Sequence, residues 1–221
     1  MNILVFAPHR DDEILGVGGT ILKRKAAGDS VTVCVVTAKV GGEWGPLTKK
    51  VDEERQKCHE FCGIDRYVGL PFAPNVLENY TRKELNGSLL EVLMSVKPEE
   101  VYLPHWGDMQ RDHRLVTEAA MVALRSKYQH GVKRIYAYET LSETGINLPS
   151  DYNAFIPNVF EDISEFLERK LKAFSFYASQ IAAFPDLRSI EAVKSLAELR
   201  GATVNVKAAE AFALVREVRS C

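Results

Sequence analysis

Six residues after the first apolar stretch carry most of the chemistry in this chain: Pro8-His9-Arg10-Asp11-Asp12-Glu13. One imidazole and three carboxylates cannot be explained as packing, because burying charge without a partner is costly. The bland alternative is a solvated loop that places acids near the N-terminus of the next helix. A second run, Pro104-His105-Trp106-Gly107-Asp108-Met109-Gln110-Arg111-Asp112-His113, again offers histidines and acids behind an apolar strand. Two histidines and one carboxylate with an open position form a catalytic zinc set. Such an ion lowers the pKa of bound water toward ~7, and a second carboxylate beside it can take the proton. Asp11 and Asp12 are adjacent and leave the backbone in different directions, so one can ligate while the other acts as base.

The elements needed to bring the two runs together are legible. Asn2 to Ala7 (NILVFA) and Ser30 to Thr37 (SVTVCVVT) are apolar without alternation, as parallel strands covered on both faces are. Further strands are expected at Arg66 to Leu70, Glu100 to Leu103 and Lys133 to Tyr138. Helices are expected at Gly16 to Ala27, Lys50 to Cys62, Thr81 to Val96 and His113 to Lys127. This alternation predicts an α/β, Rossmann-like, mostly parallel sheet with helices on both faces. Both runs then lie at carboxyl ends of strands, where open α/β sheets bind ligands. The last third breaks the rhythm, with a short strand at Asn158 to Phe160 and helices at Ile163 to Tyr177, Glu191 to Gly201 and Ala208 to Arg216. It reads as a helical C-terminal extension of a single domain spanning residues 1–221. Gly16-Val17-Gly18-Gly19 follows the strand-to-helix turn instead of forming it, so it reads as close helix packing and not as a dinucleotide fingerprint.

Composition narrows the class. The chain has 221 residues, with Lys plus Arg at 28 against Asp plus Glu at 30 and a net charge of −2. That balance argues against a nucleic-acid binder. No apolar run reaches the ~18–20 residues of a membrane span, and the N-terminus lacks the pattern of a signal peptide, so the cytoplasm is expected. Cys34, Cys58, Cys62 and Cys221 show no metal-binding pair spacing and read as structural thiols of a reducing compartment.

PHRDDE followed by DMQRDH resembles the two motifs of the PIG-L/LmbE-like family of zinc-dependent N-acetylsugar deacetylases. Weaker similarity continues through Thr37 to Glu43, Ser179-Gln180, Arg200-Gly201 and Ala209-Glu210-Ala211-Phe212. The resemblance implies that His9, Asp12 and His113 hold Zn2+, or another divalent ion, and that Asp11 is the general base. It implies hydrolysis of an acyl group, an acetyl above all, from an N-acylated amino sugar or sugar conjugate. Gln110 stands where the family often has a histidine that stabilises the oxyanion and protonates the leaving amine. Glutamine can donate a hydrogen bond to an oxyanion but delivers no proton at neutral pH. Asp11 or His105 is then left to return the proton. Asp112 is expected to orient a neighbouring side chain, Asp108 to brace a ligand, and Glu13 to contact backbone donors or open the helix. Arg10, in place of the family's proline, is expected to meet an anionic substrate or a nearby acid.

Other residues weigh less. His59 and His130 are expected at the surface. His105 stands between a group supporting the site and a structural loop residue. Trp44 and Trp106 suit either sugar stacking or loop anchoring. Arg111 and Arg114 would read an anionic substrate or neutralise Asp108 and Asp112. The Trp44 loop, Leu70 to Tyr80 and Gly145 to Pro157 are expected to shape the pocket. A non-catalytic sugar- or nucleotide-binding protein is the rival reading, and homo-oligomerisation is left open. A magnesium phosphoryl-transfer enzyme is disfavoured by the two histidines, since magnesium prefers oxygen ligands.

Overall fold

Consecutive residues of the first strand point into two different cores, which is what fixes the layering. In a computed structural model that describes residues 1–40 and 45–219, β1 (Asn2–Ala7) sends Ile3, Val5 and Ala7 to one face and Leu4 and Phe6 to the other. The period-2 alternation of strand side chains makes both faces apolar when every residue is apolar. The remaining elements are α1 (Asp12–Ala26), β2 (Ser30–Val35), α2 (Gly45–Cys62), β3 (Arg66–Gly69), α3 (Arg82–Val96) and β4 (Glu100–Pro104). They continue as α4 (Arg111–Ala123), β5 (Arg134–Tyr138), β6 (Val159–Asp162), α5 (Leu167–Phe174), α6 (Ile190–Thr203) and β7 (Ala209–Glu217).

The seven strands form one sheet in the order β3-β2-β1-β4-β5-β7-β6. The first five are parallel, while β7 runs antiparallel to both β5 and β6. Helices α1, α2, α5 and α6 cover the face of Val5 and Tyr138, and α3 and α4 cover the face of Phe6 and Leu103. Chain order reverses between β1 and β4, so their carboxyl ends open the crevice where such sheets bind ligands.

The α/β expectation holds, while several element boundaries move and one element changes type. Helix α1 begins at Asp12, four residues before Gly16, so Asp12 and Glu13 sit in its first turn. The helix expected over Ala208 to Arg216 is instead strand β7, inserted between β5 and β6. Its Ala- and Glu-rich composition favours helix locally, but two flanking strands offer ladder partners on both edges, and that tertiary context prevails. The helical extension is therefore α5 and α6. The glycines of α1 do what close packing requires. A Cβ at Gly16 would lie 2.2 Å from the Tyr138 ring, and one at Gly19 2.7 Å from Ile163.

Candidate active site

Asp11 marks the turn from β1 into α1, and its φ of 145° lies in a region side chains rarely adopt. Such strain costs roughly 1–3 kcal/mol and persists where surroundings over-determine it. Here the surroundings are identifiable. The Asp11 N–H donates to Glu13 Oε2 at 3.1 Å, while Glu13 Oε1 accepts from Tyr177 Oη at 2.6 Å and lies 3.0 Å from His59 Nε2. Arg10 is clamped by Asp52 at 3.0 Å and by the Thr37 carbonyl at 3.3 Å. Asp52 also accepts from Arg55 Nε at 2.9 Å, and Arg55 lies over the Tyr67 ring. The turn is thus pinned to α2 on one side and to the segment after α5 on the other.

The second run meets the first across the crevice. His9 Nδ1 lies 3.3 Å and His113 Nε2 3.2 Å from Asp12 Oδ2, and the two rings are 5.4 Å apart. Ligand atoms of His9, Asp12 and His113 lie within 4.8 Å of one another. Each imidazole has an outer carboxylate: Asp112 Oδ2 is 3.0 Å from His9 Nε2, and Asp108 Oδ2 is 2.9 Å from His113 Nδ1. Asp112 is itself held by the backbone N–H groups of Asn75 at 2.7 Å and Leu77 at 3.3 Å. Asp12 Oδ1 is buried without a hydrogen-bond partner. A buried carboxylate with Oδ2 against two braced imidazoles and Oδ1 unpartnered, offering a two-nitrogen, one-oxygen donor set, fits a divalent ion.

Electrostatics follow from that crowding. Burial alone would lower the His9 imidazole, but Asp112 and Asp12 prevail and raise it to about 9. Burial is likewise overcome at His113, where Asp12 and Asp108 raise it to about 10. Burial pushes Asp12 upward, yet His113 and His9 hold it well below the ordinary carboxylate value. Burial raises Asp11 to about 7 against the opposing charge of Arg188, whose Nη1 lies 2.5 Å from Asp11 Oδ2.

His9 and Asp11 open onto a cavity of about 280 Å³, whose wall also includes Gln110, Glu143, Gln180 and Arg188. Gln110 caps α4, its Oε1 accepting from the Asp112 N–H and its Nε2 donating to Asn75 Oδ1 at 2.9 Å. Pro74 and Asn75 put part of the expected Leu70 to Tyr80 loop on the wall, but no residue of Gly145 to Pro157 lines it. Trp44 and Cys221 lie outside the described residues, as do Gly41 to Glu43.

The expectation for His59 is corrected, and the open readings of His105, Trp106, Arg111 and Arg114 are narrowed. His59 is buried, because Glu13 and Arg55 supply the partners that its polar helix does not show in sequence. His105 is buried with Nε2 3.1 Å from the Asn153 carbonyl and its ring against Trp106 and Phe155, so it supports a loop and stands apart from the cavity. Trp106 anchors the same loop, donating to the Tyr152 carbonyl at 3.0 Å. Asp108 and Asp112 are satisfied by imidazoles, Thr144 and backbone N–H groups, and not by Arg111 or Arg114. Sequence reasoning missed Arg188 and Glu143. It also missed Asp52 and Arg55 and put His59 at the surface, although their spacing along α2 puts the three on one helix face.

The fold and this cluster define an α/β protein whose strand-end crevice can hold a divalent metal beside a second carboxylate, Asp11. The chain belongs to the PIG-L family, described as GlcNAc-PI de-N-acetylase, whose model matches residues 4–124. The diacetylchitobiose deacetylase of Thermococcus kodakarensis is 28% identical over 195 residues, covering 84% of this chain and 71% of that protein. The conserved protein TT1542 of Thermus thermophilus superposes with a TM-score of 0.78 at 25% identity, covering 100% of this chain and 97% of that one. GalB, the 4-carboxy-2-hydroxymuconate hydratase of Pseudomonas putida, superposes at 0.77 with 19% identity over 100% and 99% of the two chains. A fold shared with a hydratase leaves the reaction to be argued from the site's own residues.

Proposed function

We propose that the protein is a zinc-dependent de-N-acetylase that hydrolyses the amide of an N-acetylated amino sugar or sugar conjugate, releasing acetate and a free amine. The observation that carries this reading is the His9, Asp12 and His113 cluster, which reaches the cavity through His9, with Asp11 beside it on the wall. His9, Asp12 and His113 would hold Zn2+, which when bound supplies a Lewis acid for the carbonyl and acidifies water. Asp112 and Asp108 orient the two imidazoles and fix which nitrogen of each faces inward. Asp11 takes the proton of the attacking water at its carboxylate, with Arg188 on its other oxygen keeping it directed. Gln110, on the same wall, would donate an amide N–H to the developing oxyanion. Leu47 and Val51 line the cavity and limit water, and a volume near 280 Å³ sits at the lower edge of ligand pockets, which run from ~300 Å³ upward. One sugar ring and its acyl arm suit that space, with the rest of a conjugate outside.

Three buried free cysteines, Cys34, Cys58 and Cys62, support a reducing compartment such as the cytoplasm. No helix among the described residues is long and apolar enough to cross a membrane.

Metal content of protein purified without added metal, for the wild type and His113→Ala in parallel, tests the reading. About one zinc per chain, lost in the variant, together with amine release from N-acetylated sugars, is the expected result. Absence of metal that added zinc does not restore would overturn it and leave a sugar- or nucleotide-binding role ahead.

A further inference from the structure

Amide hydrolysis breaks a C–N bond, and the departing nitrogen must gain a proton, because an amide anion is too basic to leave at neutral pH. Gln110 has no proton to give. His105 is bound to the Asn153 carbonyl away from the cavity, and Asp11, paired with Arg188, already has the proton of the attacking water to receive. Among the described residues the cavity wall carries one further acid, Glu143, on the segment that follows β5. Its backbone is fixed next to the reacting region. The Met109 N–H, adjacent to Gln110, donates to the Glu143 carbonyl at 3.1 Å, and the Glu143 N–H donates to the Thr140 carbonyl at 2.8 Å. The neighbouring Thr144 hydroxyl donates to Asp108 Oδ1 at 2.5 Å, so the segment hangs from the same carboxylate that orients His113. Two cations among the described residues share this wall: Arg188 pairs with Asp11, and Arg10 with Asp52 and the Thr37 carbonyl.

We propose that Glu143 is the proton donor to the leaving amine, supplying at the cavity wall what the side chain at position 110 cannot. The inference rests on the hydrolase reading above. Burial supports it by holding the Glu143 carboxyl above its ordinary range, with His113, Arg188 and Ser142 opposing. In the step itself, water adds to the amide carbon and gives one proton to Asp11. The C–N bond then breaks, its electron pair stays on nitrogen, and the Glu143 carboxyl proton goes to that nitrogen. Acetic acid and the free amine leave and exchange a proton to become acetate and ammonium. Proton transfer through solvent from Asp11 to Glu143 restores both carboxyls.

Zinc-loaded wild type and Glu143→Gln are compared on N-acetylglucosamine and diacetylchitobiose, and on 4-nitrophenyl acetate, whose leaving group needs no proton. Glutamine keeps the shape and the hydrogen-bonding capacity but not the acid. The expected result is a fall in kcat on the amides of roughly 100-fold or more at unchanged KM and metal content, with ester hydrolysis within about threefold of wild type. Equal losses on amide and ester would make Glu143 structural and overturn the proposal. An unchanged amide rate would also overturn it while leaving the hydrolase reading intact. A wild type inert on both amides but binding zinc would overturn the hydrolase reading and the proposal together.

Discussion

Asp11 and Asp12 are neighbours in sequence with opposite electrostatic fates. Two imidazoles hold the Asp12 carboxyl far below its usual value, whereas burial raises Asp11 to about 7 despite Arg188. Carboxylates driven apart by their environments divide labour between ligand and base. Asp11→Asn is therefore expected to keep its zinc while kcat on an N-acetyl sugar falls by roughly 10²–10⁴. Asp108→Asn should do the reverse and weaken zinc affinity ~10–100-fold by freeing the His113 ring. Titrating zinc into the metal-free variants and assaying them loaded separates the two, and equal effects on both quantities would contradict the division. The residues of the two runs could be read in sequence because charged groups behind apolar strands have no packing explanation. Arg188 and Glu143 could not, since each lies on an irregular segment whose path to the cavity depends on the whole fold.

Helix α1 shows how an element can be correct in sequence and incomplete. Its glycines were legible as close packing, and they bring the helix against Tyr138 and Ile163. What one sequence does not reveal is the buried pair Lys170–Glu210, 2.6 Å apart and only 4% and 3% exposed. In a regular helix the Gly19 N–H bonds the Leu15 carbonyl. Here Lys170 Nζ donates to that carbonyl at 2.8 Å, and Glu210 accepts from the N–H groups of Gly19 and Thr20 at 2.7 Å each. Glu210 reaches α1 because its segment is a strand; the helix expected there would have turned it elsewhere. The Ala-Glu-x-Phe resemblance thus has a structural job, tying β7 and α5 to the helix that starts at Asp12. Lys170→Met leaves the carboxylate buried without its cation and is expected to cost about 3–5 kcal/mol. Urea unfolding measures it, and a loss below ~1 kcal/mol would mean that the backbone N–H groups alone satisfy Glu210.

At the scale of the molecule, both hydrophobic cores rest on the same strands, with β1 contributing to each face. We infer that the described residues unfold as one cooperative unit, because neither core can be lost without exposing β1. The metal cluster lies at the end of that strand, joining the β1–α1 turn to α4 across the crevice. An ion held there binds the native state and not the unfolded chain, so it stabilises by mass action, about 2.7 kcal/mol at a free concentration 100-fold above Kd. For a chain of this size that corresponds to a rise in Tm of roughly 5–10 °C. If there is one unit, far-UV circular dichroism and the near-UV signal of Tyr102, Tyr136 and Tyr138 should shift together by that amount when zinc is added. The His113→Ala variant should show no shift in either signal. A zinc-dependent shift in one signal alone would divide the chain into separately folding parts, and an equal shift in His113→Ala would place the ion elsewhere.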